Sequence, residues 1–383
     1  MRIIDRYLLR QFVQVFLICF ISFDGIYIVA DVLSNLDEFL HYAETGETSL
    51  WKIIGEFYSY RSIFMFERTS SMLTMISGMF TVTWIQRHNE MTALTAAGVP
   101  RARVVRPVII AAIAISLLTC AGRELVIPPL AKKLDREPKN LRGDNGEELR
   151  PRYDNETDVL MQGRVTFANE ARIQDPSFIL PEKLNKYGKQ LSAANAYYEE
   201  PRGDRPGGYR FKGVTSPPRL LQSHSLTIDG KPIVITPLDE PQWLKSDECF
   251  LASNVSFAQL NGGHGWRQFS STRQLIEGLS NPSLGLAGEF GADVRVAIHS
   301  RMVQPLLDMT LLFLGLPLVM HGTNRNVFLA IGLCGLVCTA FMVVVMACQY
   351  LGQISLIRPA LAAWAPLMIF VPVAVGMYDR IEY

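Results

Sequence analysis

The stretch "VFLAIGLCGLVCTAFMVVVMACQYLGQISLI", Val327–Ile357, contains no charged residue. A bilayer core about 30 Å thick is crossed by about 20 helical residues at 1.5 Å each. The run is long enough to cross and too apolar to sit against water, so it reads as a membrane span. Pro359–Tyr378, just beyond it, is equally free of charge. Upstream, about Asp135–Ser283, the chain turns polar and rich in Gly and Pro. Farther back lie more apolar runs. The chain is therefore written for two solvents, lipid at both ends and water in the middle.

Composition agrees with that division. Of 383 residues, 49% are hydrophobic. Lys and Arg total 37 and Asp and Glu 36, so net charge points to no class of partner. Five of the six cysteines, Cys19, Cys120, Cys334, Cys338 and Cys348, fall in apolar runs. Cys249 is alone in the polar middle, which excludes a disulfide framework there. Cys334 and Cys338 have helical spacing but no flanking His or acid. They read as small packing residues rather than metal ligands. The charged start "MRIIDRYLLRQF" leads into a long apolar run with no A-x-A site and is expected to be a retained first span.

Six spans are expected: about 8–30, 70–85, 104–122, 302–320, 327–350 and 359–378. The fold class is an α-helical membrane protein with six transmembrane helices, three and three, and an inserted all-β, jelly-roll-like domain. The expected division is residues 1–130 for the first three spans, 131–275 for the β-domain, and 276–383 for a connecting helix and the last three spans. Basic residues in short segments set orientation. Arg2, Arg6 and Arg10 precede the first span. Arg87, Arg101, Arg103 and Arg106 follow the second, Arg325 follows the fourth, and Arg380 closes the chain. All fall on one side, which is expected to be the cytoplasm. The segment between spans one and two is acidic instead, with Asp31, Asp37, Glu38, Glu44, Glu47 and Glu56 against Lys52 and Arg61.

In the polar middle, period-2 segments recur: "VLMQGRVTFANEARI", "KQLSAANAYYEE", "GGYRFKGVTS", "SLTIDGKPIVITPL" and "CFLASNVSFAQL". "RPGGY", "DGKP" and "NGGHG" separate them as turns, which indicates many short strands. "STRQLIEGL" reads as a helix leading back to the fourth span.

Several chemistries have no sequence support. Neither Gly-Lys pair, at Gly188 and Gly230, continues as a phosphate-binding loop. There is no H-E-x-x-H, no G-x-S-x-G and no His/Cys cluster with metal spacing. His88 and His299 lie near membrane surfaces and read as interfacial polar residues. A transporter, receptor or scaffold is favoured over an enzyme, and no cofactor bound by this chain is expected.

Between spans two and three lies "QRHNEMTALTAAGVPRARVVRP", Gln86–Pro107. Asn89 is expected to cap a short helix, with Glu90 in its first turn where the helix dipole favours an acid. Gly98 suits the position after its end, and Pro100 prevents continuation. Met91 and Leu94 share a face, with Ala97 beside them. The helix is either an interfacial anchor on lipid or a knob that docks into a separate ATPase.

The same stretch resembles a segment of the LptF/LptG permease family, the membrane subunits of the lipopolysaccharide-transport ABC exporter. "IIDRYLLRQFVQVFLICF" is similar to that family's N-terminus. "VRVAIHSRMVQPLLDMTLLFLGLPLV" is similar to the start of its fourth span, with His299, Arg301 and Pro305 in the pattern. The resemblance implies a second LptF/LptG-type subunit, an LptB-type cytoplasmic ATPase dimer that uses the ATP, and an LptC/LptA-type periplasmic bridge. It implies a lipopolysaccharide-like glycolipid as cargo and the bacterial inner membrane as location. It places Glu90 in an ATPase groove, with Met91, Leu94, Ala97 and Gly98 completing the contact over about 89–98. One departure stands out. Where LptG-type members can carry a basic residue on the first span, this chain has Ile28, flanked by Asp24 and Asp31. With Tyr27 and with Asp308 of span four, these acids are the candidates to line a substrate cavity, since an acid in a span usually faces a cavity or a partner. The alternative is a non-translocating ABC-type subunit, or a scaffold, that transmits force to periplasmic partners.

Overall fold

A computed structural model describes residues 3–45, 49–136, 138–140, 146–203, 205–240, 242–261, 263–285, 291–320 and 327–382. Arg2, Glu47 and Arg325, used above for orientation, lie outside the described residues. The chain separates into two compact units, one of residues 1–133 with 292–383 and one of residues 134–291.

The first unit is helical. It begins with α1 (Ile3–Ser34), α2 (Leu36–Thr45), α3 (Leu50–Arg87), α4 (Glu90–Ala96) and α5 (Arg101–Ala121). A π-helical stretch, Gly122–Val126, carries α5 into α6 (Ile127–Leu134). Among the described residues, five helices are long and apolar enough to cross a membrane: α1, α5 with its extension, and the three that end the chain. The sixth span is α3. At 38 residues it is longer than the run expected from hydropathy. Its membrane half is diluted by Ser and Thr, and burial explains this. Ser77, Thr81 and Thr83 are buried and donate to the carbonyls of Leu73, Ser77 and Met79, 2.6 to 2.8 Å away. Hydroxyls satisfied by their own helix make a polar span tolerable inside a bundle.

The second unit holds β1 (Glu147–Glu148), β2 (Arg152–Asp154), β3 (Val159–Met161), β4 (Val165–Phe167), β5 (Arg172–Gln174) and β6 (Ser177–Ile179). β7 (Gln190–Glu199), β8 (Gly208–Ser216), β9 (Leu226–Ile228), β10 (Lys231–Ile235) and β11 (Glu248–Ala252) follow. Among the described residues all pairings are antiparallel. The path runs β1-β4-β5-β7-β8-β11-β10-β9, with β2, β3 and β6 joining at β7. β7 therefore serves two neighbours along one edge. Ser192 and Leu191 pair with β6, while Asn195 to Tyr197 pair with β5. The fork curls the sheet so that Phe178 of β6 meets Tyr209 and Phe211 of β8, at ring separations of 5.7 and 5.0 Å. Asp229 and Gly230 both have positive φ, as a two-residue hairpin turn requires, and they join β9 to β10. Cys249 is fully buried, and burial pushes its thiol up from the usual range.

Two expectations here are corrected. The last part of "CFLASNVSFAQL" is not strand, because α7 (Phe257–Asn261) begins there, its Phe257 and Leu260 buried. "NGGHG" is not a hairpin turn. Gly262 lies outside the described residues, and α8 (Gly263–Phe269) follows it. α9 (Thr272–Ser280) is the helix read at "STRQLIEGL". Ser271 caps it and Gln274 returns the bond, a full capping box.

The chain returns to the helical unit through α10 (Ala292–Met320), then α11 (Val327–Gln353) and α12 (Pro359–Glu382). α10 is the most enclosed of those five apolar helices and packs against α3, α5, α11 and α12. Glycines allow the closest crossings. A Cβ on Gly315 would stand 2.9 Å from both Met75 Cγ and Met79 Sδ of α3. One on Gly78 would stand 3.0 Å from Leu312 of α10. In lipid no hydrophobic effect drives helices together, so such close packing supplies much of the attraction.

Candidate functional site

The short helix α4 is built from its joints. Asn89 is not the side-chain cap that its residue type suggests. Its φ is 60° and its side chain makes no capping bond. Asn is among the few residues that take the left-handed conformation readily, and here it forms a one-residue elbow between α3 and α4. The other end follows expectation. Gly98 has φ 78°, its amide bonds to Thr95 O at 3.0 Å, and the Val99 amide bonds to Leu94 O at 3.0 Å. These two bonds are a Schellman stop. Pro100 follows, and α5 begins at Arg101.

The faces of α4 divide its residues differently from the sequence reading. Met91 is buried in the chain's own core with Val82, Ile85, Val104 and Val105, and Leu94 packs against the same cluster. Met91 anchors the helix to its bundle and is unavailable as an outward apolar contact, while Leu94 is half-buried against the same bundle. The exposed positions are Thr92, Ala93, Ala96, Ala97 and Gly98. Sequence spacing showed that Met91 and Leu94 share a face but not what that face meets. Glu90 is half-exposed, and the Tyr7 hydroxyl of α1 donates to its Oε1 at 3.4 Å. Arg101 and Arg106 are exposed on the helix that follows, α5.

The intramembrane acids all find partners within their own bundle. Asp24 is buried, and its Oδ2 accepts from Ser62 Oγ of α3 at 2.6 Å. Its Oδ1 is buried with no hydrogen-bond partner among the described residues. Three residues along α1, Tyr27 accepts from Arg61 Nε at 3.0 Å. One turn farther, Asp31 accepts from Tyr58 at 2.6 Å. Asp24, Tyr27 and Asp31 thus share one stripe of α1, zipped to Ser62, Arg61 and Tyr58 of the antiparallel α3. Asp308 is buried between α10 and α5, where its carboxylate accepts from Ser116 at 2.9 Å and from Gln304 at 2.8 Å. The reading from sequence missed Arg61 as the cation nearest this stripe, because it lies on another helix. It also missed Arg123 and Glu124, which pair with Glu67 and Arg301 respectively.

A polytopic membrane protein, with a forked β-unit inserted between its third and fourth spans, is the class that this architecture defines. No curated relative matches the chain. The family model described as lipopolysaccharide export system permease LptF/LptG matches residues 6–162 and 267–380. The match covers both helical halves and most of the chain, and the chain belongs to that family. Members are permease components and not enzymes in themselves.

Proposed function

We propose that this chain is one permease subunit of an ABC exporter that extracts lipopolysaccharide, or a related glycolipid, from the inner membrane and passes it to a periplasmic bridge. A second LptF/LptG-type subunit completes the membrane part. An LptB-type ATPase dimer binds on the side that carries Arg87, Arg101, Arg103 and Arg106, the cytoplasm by the excess of basic residues. The β-unit then lies in the periplasm with an LptC/LptA-type partner. One observation carries the reading: α4 is too short to span, is stopped at both ends, is rooted in the bundle by Met91, and offers a small-residue face outward. A chain that draws on another protein's ATP needs such a rooted contact, whereas a lipid anchor would turn its Met and Leu outward.

The contact falls to Glu90, Ala97 and Gly98, with Thr92, Ala93 and Ala96 beside them. Affinity purification of the tagged chain from membranes is expected to bring down a P-loop ATPase and a second six-span subunit. Glu90→Arg is expected to insert normally and to lose ATP-driven glycolipid release at least tenfold. Survival of both ATPase binding and release in that variant would remove the basis of the reading. For the cargo, the Asp24–Asp31 stripe is proposed as a wall of α1 and α3 beside the path, with Arg61 as its cation.

A further inference from the structure

The outer ends of three spans carry charges that the coupling role does not use. Arg123 NH1 lies 3.0 Å from Glu67 Oε1 of α3, and the Glu67 side chain is almost wholly enclosed. Arg301 NH1 of α10 lies 3.9 Å from Glu124 Oε1, and the Arg301 side chain is enclosed likewise. Ser70 and Thr119, one turn inward, add a hydroxyl bond of 3.0 Å between α3 and α5. Glu67, Arg123 and Arg301 are each about 20 residues from the other end of their helix, roughly 30 Å at 1.5 Å per residue. The charges therefore lie at one level, where hydrocarbon gives way to headgroups.

Backbone geometry explains how consecutive residues reach two helices. Arg123 and Glu124 lie within the π-helical stretch Gly122–Val126. Such a stretch inserts a wider turn and re-aims side chains, often at functional positions. Here Arg123 turns to α3 and Glu124 turns to α10. The location in the chain matters more. α5 and α6 form the segment by which the chain leaves the bundle for the β-unit, and α10 is the segment by which it returns. The Glu124–Arg301 pair bridges outgoing and returning segments, and the Arg123–Glu67 pair ties both to α3, the helix that ends at α4.

Enclosed ion pairs are weak sources of net stability, because desolvation offsets their attraction. In some proteins such pairs instead specify one arrangement. We infer that Glu67, Arg123, Glu124 and Arg301 form a charged clamp that stays closed through the transport cycle and makes the two chain crossings and α3 move as one piece. The four are positioning residues, and this role rests on the exporter reading above. The clamp delivers a displacement of α4 to both crossings at once, where a looser joint would let one crossing lag.

The test uses the full exporter in nanodiscs with Glu124→Arg, Arg301→Glu and the double swap. Each single variant is expected to lower ATP-driven glycolipid release at least tenfold while retaining ATP hydrolysis within threefold of the parent. The double swap is expected to recover release to within about threefold. Hydrogen exchange supplies a readout that needs no transport. In either single variant the amides of 122–126 are expected to exchange at least tenfold faster, with those of α12 unchanged, and the swap restores them. Normal release in the singles, no recovery in the swap, or exchange raised evenly over every span would each overturn the clamp. If 122–126 responds as described but the parent exporter moves no glycolipid, the clamp stands and the exporter reading fails.

Discussion

Gly98 marks the place where one atom decides the course of the chain. Its φ of 78° lies where a Cβ approaches the following carbonyl oxygen. Nothing lies within 4 Å of the space a Cβ would fill, so a substitution there meets strain and no clash. Gly98→Ala is expected to cost about 1 kcal/mol from the left-handed backbone. The cost falls on the Schellman bonds from Gly98 and Val99, so the end of α4 frays before the bundle opens. Hydrogen exchange at Gly98 and Val99, compared with that of α3, checks this. Unchanged protection at both amides would show that the stop does not depend on the glycine. Asn89 teaches the converse lesson. Its residue type suggested a side-chain cap, yet the same short amide side chain also favours the left-handed elbow that the structure shows. Residue type alone does not separate the two uses, because both are local and both suit Asn.

At the scale of elements, α4 has an anchoring side and an offered side, and substitutions are expected to sort by side. Met91→Ala removes a buried side chain and is expected to destabilise the bundle by about 2–5 kcal/mol. Ala93→Arg and Ala96→Arg add charge to the exposed face and are expected to leave thermal stability unchanged while lowering ATPase affinity at least tenfold. Thermal unfolding beside ATPase pull-down separates the effects. A stable Met91→Ala that loses the ATPase would reverse the assignment of faces. The existence of α4 and its stop at Gly98–Pro100 were legible in the sequence, because caps are short-range chemistry. The facing of Met91 and Leu94 was not, because it depends on Val104, Val105 and the α10 side chains brought in by tertiary packing. For α3, hydropathy marked 70–85 as a span, but the helix begins 20 residues upstream of that run, at Leu50. Hydropathy counts its Ser and Thr as polar, whereas the structure pairs them with its own carbonyls. Asp24, Asp31 and Asp308 were marked as acids in or beside a span that need partners. Their partners Ser62, Tyr58 and Ser116 lie on other helices, where no local pattern points.

Across the whole molecule, three-and-three spans with an inserted β-unit were legible, because runs of apolar residues and period-2 segments are strong signals. The fork at β7 was not, since the sharing of one strand edge by β5 and β6 is a matter of register. That fork bears on how a glycolipid would use the β-unit. Phe178, Tyr209 and Phe211 fill the space between the wings and are fully buried, so the described sheet encloses a packed core. Passage of an acyl chain along its inner face requires the wings to part. A photoreactive phenylalanine at Phe178 is therefore expected to capture glycolipid only during ATP turnover, at least fivefold above the nucleotide-free level. Equal capture without ATP would show a path that needs no opening.

The polar interior of α3 has a consequence for how the protein is made. α3 ends at Arg87 and α10, which covers much of it, begins at Ala292. About 200 residues of chain must be synthesised in between, which at about 5–20 residues per second takes roughly 10–40 s. During that interval the newborn α3 faces lipid, or an insertion factor, with Gly78 and its neighbouring hydroxyls still uncovered, and Glu124 awaits Arg301. The first three spans are thus synthesised as an unfinished half-bundle, and the nascent chain needs shelter until the β-unit has been made and the fourth span arrives.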